Sequence, residues 1–215
     1  MKVSNSIYRT CICSIVSMLL LFPSVVYAQR DSLLERFYKI TSDSCVEFEY
    51  KYSVRISGVN QTGSGVLSAQ GNLWMLNGNG LEMYCDGSSQ WIIDASMKEV
   101  VIETLLEDAD NQLQTNPSFL FMRMKEFFLV NESRDTEDGQ AVLYVLAPKV
   151  KSDISYFNVE VVKADASVRN GVVALNDGTL IKIEVSSMKL TPKRSIEDFR
   201  PHSDFDSSWI ITDLR

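Results

Sequence analysis

Groups able to attack, ligate or shuttle protons are few in this chain, and their spacing does not assemble them. His202 is the single histidine, in the polar stretch Arg200-Pro201-His202-Ser203-Asp204. A Ser-His-Asp relay would have to recruit it, yet no serine has the Gly-x-Ser-x-Gly setting that presents a nucleophile on a tight turn. His202 therefore reads as an exposed loop residue. Ser186-Ser187-Met188-Lys189 spells Ser-x-x-Lys, but that chemistry needs both side chains on one helix face, and a strand sends positions three apart to opposite faces. No catalytic residue and no enzyme are expected. Cys45 and Cys85, with one distant histidine, lack the spacing of a structural zinc site. Glu107-Asp108-Ala109-Asp110 and Asp135-Thr136-Glu137-Asp138-Gly139 lack the ordered oxygen spacing of a calcium loop and read as solvated turns. Neither metal nor cofactor is expected.

The compartment is set by the first residues. Lys2 and Arg9 precede the apolar run Ile12 to Phe22; Pro23 breaks it, and Val26-Tyr27-Ala28 offers small residues to a signal peptidase. The run is shorter than the roughly 20 residues of a membrane span. Residues 1–28 are thus predicted to be a signal peptide cleaved after Ala28, directing export across the inner membrane of a bacterium. Residues 29–215 are predicted to fold as one domain in the periplasm. No cysteine stands at the cleavage point, so no lipid anchor is expected on this chain. Cys11 and Cys13 leave with the signal. Cys45 and Cys85 stay in an oxidising compartment, where a bridge would contribute about 3–4 kcal/mol; the alternative is two small apolar residues in neighbouring strands. Loss of Lys2 and Arg9 takes the net charge from −7 to −9. An acidic chain without a Lys/Arg cluster repels phosphate backbones, so nucleic acid is not an expected partner. Nor does charge hold it to an anionic lipid surface.

The elements that carry the apolar residues are mostly strands. Gln29 to Thr41 reads as an amphipathic helix, with Leu33, Leu34, Phe37 and Ile40 at three- and four-residue steps. From Val46 to Ile56 the period becomes two: Val46, Phe48, Tyr50, Tyr52, Val54 and Ile56 alternate with Glu47, Glu49, Lys51, Ser53 and Arg55. That is one long half-buried strand, its polar face solubilising rather than acid–base. Leu81–Cys85 and Gln90–Asp94 flank Asp86-Gly87, Gln140–Leu146 follows Asp138-Gly139, and Val172–Leu175 and Leu180–Val185 flank Asn176-Asp177-Gly178. Asn77-Gly78-Asn79-Gly80 is a further reversal. Such short connections imply an antiparallel meander. One interval breaks the pattern: Ser118–Phe128, opened by Asn116-Pro117, reads as a short helix that is apolar nearly all round. Such a helix is buried or covers something apolar.

Aromatic and methionine side chains concentrate before residue 130. Phe48, Tyr50, Tyr52, Trp74, Met75, Met83, Trp91, Phe119, Phe121, Met122, Phe127 and Phe128 form the candidate lining of a site for apolar guests. Methionine suits surfaces that accept varied apolar guests, although the same composition serves an ordinary core.

In order and spacing, these motifs resemble the LolA-like family of periplasmic outer-membrane lipoprotein carriers across essentially the whole of residues 29–215. An N-terminal helix leads into the long alternating strand; Gly65-Val66-Leu67 and Leu73-Trp74-Met75 follow; Cys85-Asp86-Gly87-Ser88-Ser89-Gln90-Trp91 is similar to the family's Asp-Gly-x-x-x-Trp hairpin. Asn116-Pro117-Ser118-Phe119-Leu120 resembles the start of its lid helix, and Leu146-Ala147-Pro148-Lys149 and Ile211-Thr212-Asp213-Leu214-Arg215 also fit. The resemblance implies a mainly β (α+β) fold: an incomplete antiparallel barrel or curved sheet, with helices over its mouth. Its apolar interior would receive lipoprotein acyl chains or another lipid. A donor complex in the inner membrane and an acceptor in the outer membrane are implied, with the carrier a monomer. Where that family often has an arginine before a proline, latching the lid over the empty cavity, this chain reads Gln70-Gly71-Asn72. The alternative role on the same scaffold is an envelope sensor or interaction module.

Overall fold

The computed structural model describes residues 22–106, 109–116, 118–202 and 205–215, the side chains of 22–31, 109, 114 and 115 excepted. Helix α1 (Phe22–Asp43) extends further toward the N-terminus than the predicted Gln29–Thr41. Leu33, Leu34 and Phe37 are buried, as their spacing requires. Near its end, the buried Thr41 hydroxyl donates to the carbonyl oxygens of Phe37 and Tyr38 at 3.0 and 3.1 Å.

Twelve strands of the described residues form one sheet. In chain order they are β1 (Cys45–Ile56), β2 (Val59–Gln70), β3 (Leu73–Gly78), β4 (Leu81–Asp86), β5 (Ser89–Asp94), β6 (Glu99–Thr104), β7 (Phe128–Asp135), β8 (Ala141–Pro148), β9 (Ile154–Val162), β10 (Val168–Leu175), β11 (Leu180–Thr191) and β12 (Ile210–Asp213). Their lateral order is β12-β6-β5-β4-β3-β2-β1-β11-β10-β9-β8-β7, so β1 joins a first meander on one side to a second on the other. Neighbours are antiparallel except β12, which pairs parallel to β6. Two of the tightest reversals, Ser57-Gly58 and Asn79-Gly80, have both residues at positive φ, the conformation whose twist matches a two-residue hairpin.

The meander expected from the turn chemistry is therefore present, and the fold is mainly β with an open, curved sheet. Its inner face carries α1 and three short helices: α2 (Ala109–Thr115), α3 (Phe119–Met122) and α4 (Met124–Phe127). Together they enclose a core that includes Phe37, Val46, Phe48, Leu67, Trp74 and Phe157. Ser118–Phe128 is not the single helix its sequence suggests. Phe119, Phe121, Met124 and Phe128 are all buried, and at 100° per residue they do not share one stripe of a continuous helix. The chain breaks at Arg123, and Phe128 already belongs to β7. Pro117, Glu107 and Asp108 lie outside the described residues.

A smaller core sits on the opposite face. Ile93 and Val100 are buried there, and so is Phe199 in a 3-10 turn (Ile196–Phe199) that packs on β3 and β4. This C-terminal arm is fastened twice. Gln70 accepts from the Arg194 N–H at 2.8 Å and donates to the Arg194 carbonyl at 3.1 Å. Arg200 reaches Asp86 through Nε at 2.9 Å and Nη2 at 2.8 Å.

Candidate ligand pocket

Strand pairing decides which aromatic residues share a face. Phe48 pairs with Leu67 and Leu67 with Leu76; Leu76 pairs with Met83. This row faces inward. The neighbouring row, Met75–Tyr84–Trp91–Ile102, faces the other way. Met75 and Trp91 are thus removed from the candidate lining. Each strand shows two faces, and only the register tells which of them joins the Phe48 face.

On the inner face lies a pocket of about 380 Å³, toward the lower end of the roughly 300–1,000 Å³ typical of ligand sites. Tyr50, Tyr52 and Val54 of β1 and Ile181 and Ile183 of β11 form one wall. Leu76, Leu81 and Met83 form the other, and Leu113 and Leu120 the roof. Ser64, Asn79 and Asn116 supply polar atoms, and among the described residues no charged side chain lines it. Burial, and secondarily the neighbouring Tyr52, pushes the Tyr50 phenol up to about 12, so Tyr50 meets the pocket as a neutral phenol.

Tyr50, Tyr52 and Met83 of the expected lining thus meet in the pocket. Phe48, Trp74, Phe119, Phe121 and Phe128 pack behind it as core. Phe48 stacks on Phe121 at 5.4 Å between centroids; Phe121 and Phe128 lie 6.2 and 5.6 Å from Phe157. Gly171 makes room for this cluster, since a Cβ there would lie 3.2 Å from Phe157 and 3.6 Å from Phe121. Phe127 packs edge-on against Phe119 at 4.9 Å, and Arg123, which ion-pairs with Glu126 at 2.6 Å, lies 4.9 Å over the Phe127 ring. Met122 lines a separate polar cleft beside Tyr38 and Gln70. The wall residues Ile181 and Ile183 escape a search for aromatic and methionine side chains. Their signal is the alternation Ile181, Ile183, Val185 after the Asn-Asp-Gly turn.

The roof hangs on buried polar side chains. Gln112 donates to the Leu106 carbonyl and accepts from Asn116 Nδ2 at 2.7 Å. Asn116 Oδ1 accepts from the Ser118 N–H at 2.9 Å and the Ser118 hydroxyl at 2.6 Å. Gln112, Asn116 and Ser118 are all buried, so a few hydrogen bonds fix the chain between β6 and α3.

The chemistry-bearing residues stay apart. His202 is exposed. Lys189 is held by Glu49 at 3.0 Å and Glu47 at 3.8 Å, and Ser186, at a bulge in β11, donates to the Glu49 carbonyl. Cys45 and Cys85 are both buried, and neither is joined to the other. Cys85 shares an inward row with Trp74, Ala69 and Val46, whereas Cys45, adjacent to Val46, faces outward. Three strand spacings, roughly 14 Å, separate them, beyond the reach of a disulfide. The bridge entertained from the compartment is therefore not made.

No protein-family model matches the sequence, and no curated protein matches it. Solved structures do. An uncharacterized conserved protein from Thermus thermophilus is 11% identical, with 85% of this chain and 98% of that one covered at a TM-score of 0.53. A DUF1329 family protein from Desulfovibrio piger is 14% identical over 84% and 99% of the two chains, at 0.47. A LolA superfamily protein from Nitrosomonas europaea is 11% identical over 80% and 97%, at 0.45. At such identities the likeness to the Thermus protein is one of fold alone. The open antiparallel sheet with an N-terminal helix and short helices on its inner face is the architecture expected from the sequence, and a LolA superfamily protein stands among the structures similar to it.

Proposed function

We propose that this chain is a periplasmic, non-enzymatic carrier that holds an acyl chain of a lipoprotein, or of a similar amphiphile, in the inner-face pocket for transfer toward the outer membrane. The observation that carries the reading is the pocket itself: apolar, without a charged side chain among the described residues that line it, and roofed by a segment that interrupts the sheet. Each methylene taken from water contributes about 0.8 kcal/mol, so even one long acyl chain favours such a site strongly. Longer or multiple chains need the roof to move, and α2 is a short element whose link to α3 is held by the side-chain hydrogen bonds of Gln112, Asn116 and Ser118. The signal-like start fits this role, with processing after Ala28 delivering a monomer that takes cargo from an inner-membrane donor and yields it to an outer-membrane acceptor.

Native mass spectrometry of protein recovered from its own periplasm tests the reading. An acyl-bearing adduct is expected on a chain whose N-terminal sequence begins at Gln29. Protein that carries no adduct and takes up no acylated peptide in vitro would remove the carrier role.

A further inference from the structure

The mouth of the pocket is polar but uncharged, and it is built rather than incidental. Asn79, at φ 54° in its turn, projects its amide back across the mouth. Asn79 Oδ1 accepts from the Ser64 N–H at 3.3 Å, and Nδ2 donates to the Tyr52 hydroxyl at 2.6 Å. Gly63 clears the space for this pair. A Cβ there would sit 2.5 Å from the Asn79 Nδ2 and 2.7 Å from the Tyr52 ring, distances no real Cβ tolerates. Because the Tyr52 oxygen accepts from Asn79, its own proton is left to donate outward. An ester carbonyl at the head of an acyl chain is a matching acceptor. A carboxylate or phosphate would also accept, but among the described residues no cation lines the pocket to offset the loss of its hydration, and the acidic chain repels it at long range.

Building on the carrier reading, we propose that the pocket selects an uncharged acyl ester over an anionic lipid, with Tyr52 donating to the ester carbonyl and Asn79 positioning it. The same ester chemistry occurs in a free monoacylglycerol and in the diacylglyceryl group of a lipoprotein.

Displacement of the neutral fluorophore N-phenylnaphthylamine from the purified protein at pH 8 separates these ideas. The competitors are monopalmitoylglycerol, palmitate and a dipalmitoylglyceryl-cysteine peptide, each kept below its aggregation threshold. Monopalmitoylglycerol is expected to compete at least tenfold better than palmitate. Tyr52→Phe is expected to bring the two within about threefold, each competitor being scaled to the variant's own fluorophore affinity. The lipopeptide competing better than monopalmitoylglycerol supports the ester as part of lipoprotein cargo; competing worse, it supports a free lipid. Palmitate matching or beating the ester overturns the proposal while the carrier reading stands. An unchanged ratio in Tyr52→Phe overturns the role given to the hydroxyl. A wild-type protein that binds neither fluorophore nor lipid overturns the carrier reading itself.

Discussion

At the scale of single residues, β1 places opposite demands on neighbours. Tyr50 lines the pocket and is half-buried, whereas Lys51 is exposed on the other face. Tyr50→Asp puts an unpaired carboxylate against Ile183 and Met83, an expected loss of about 2–4 kcal/mol in chemical denaturation. Lys51→Asp should stay within about 0.5 kcal/mol. Equal losses at both positions would mean that the two faces are misassigned. Asp86 gives a second test. Burial alone would raise its carboxyl, but the N–H groups of Ser89 and Ser88, the Arg200 guanidinium and the Ser88 hydroxyl outweigh burial and hold it below the usual range. A depressed folded-state value stabilises the fold above the unfolded Asp value of about 3.9 and stops doing so as pH falls through the lower, folded value. Asp86→Asn should therefore cost about 2 kcal/mol at neutral pH, and the gap between its melting temperature and that of wild type should begin to narrow below the unfolded value of about 3.9 and close as pH falls through the lower, folded one. Parallel curves down to pH 2 would show that the Asp86–Arg200 contact does not fasten the C-terminal arm.

At the scale of elements, the segment from α2 to α4 has two parts with different ties. Phe119, Phe121 and Phe128 are locked in an aromatic cluster, while Leu113 and Leu120 form a roof held by Gln112, Asn116 and Ser118. Asn116→Ala strands three buried partners, at about 1–3 kcal/mol for each one left unsatisfied. In amide exchange it should loosen residues 109–120 well before β1, and an acylated peptide should shift exchange over 109–120 more than over Val46–Ile56. Protection equal to that of β1 with and without ligand would make the roof a fixed wall. This division also marks where sequence stops being informative. The alternation in β1 and the Asn-Gly and Asp-Gly turns announce strands because period and turn chemistry are local. The break at Arg123 is not local: it follows from Phe119, Phe121, Met124 and Phe128 each finding a buried partner elsewhere in the fold. The outward placement of Met75 and Trp91 comes from registers with distant strands. Likewise, β12 is a short exposed segment that becomes a strand only by meeting β6, more than a hundred residues earlier.

At the scale of the whole molecule, an open sheet has two edges and must protect both. On one edge, β7 departs from regular pairing between Val130 and Glu132 and carries Glu132 and Arg134, paired at 3.3 Å, with Asp135 3.2 Å from Lys163. Bulges and charges of this kind discourage edge-to-edge pairing. On the other edge, β6 reads Glu-Val-Val-Ile-Glu-Thr, a β-branched run that invites another strand. The chain covers it with its own β12, four residues long and ending in Asp213, which pairs with Arg215 at 2.6 Å. A short strand closed by charges is a poor template for further addition, consistent with the monomer proposed above. Removal of residues 210–215 should leave the pocket and its ligand binding in place, because β6 does not line it. It should expose the β6 edge and produce concentration-dependent dimers or larger species in light scattering after size exclusion. Val101→Lys in the shortened chain should return it to a monomer by placing a charge on that edge. A truncated protein that remains monomeric at high concentration with its strand content intact would show that β12 is an appendage and that the β6 edge protects itself.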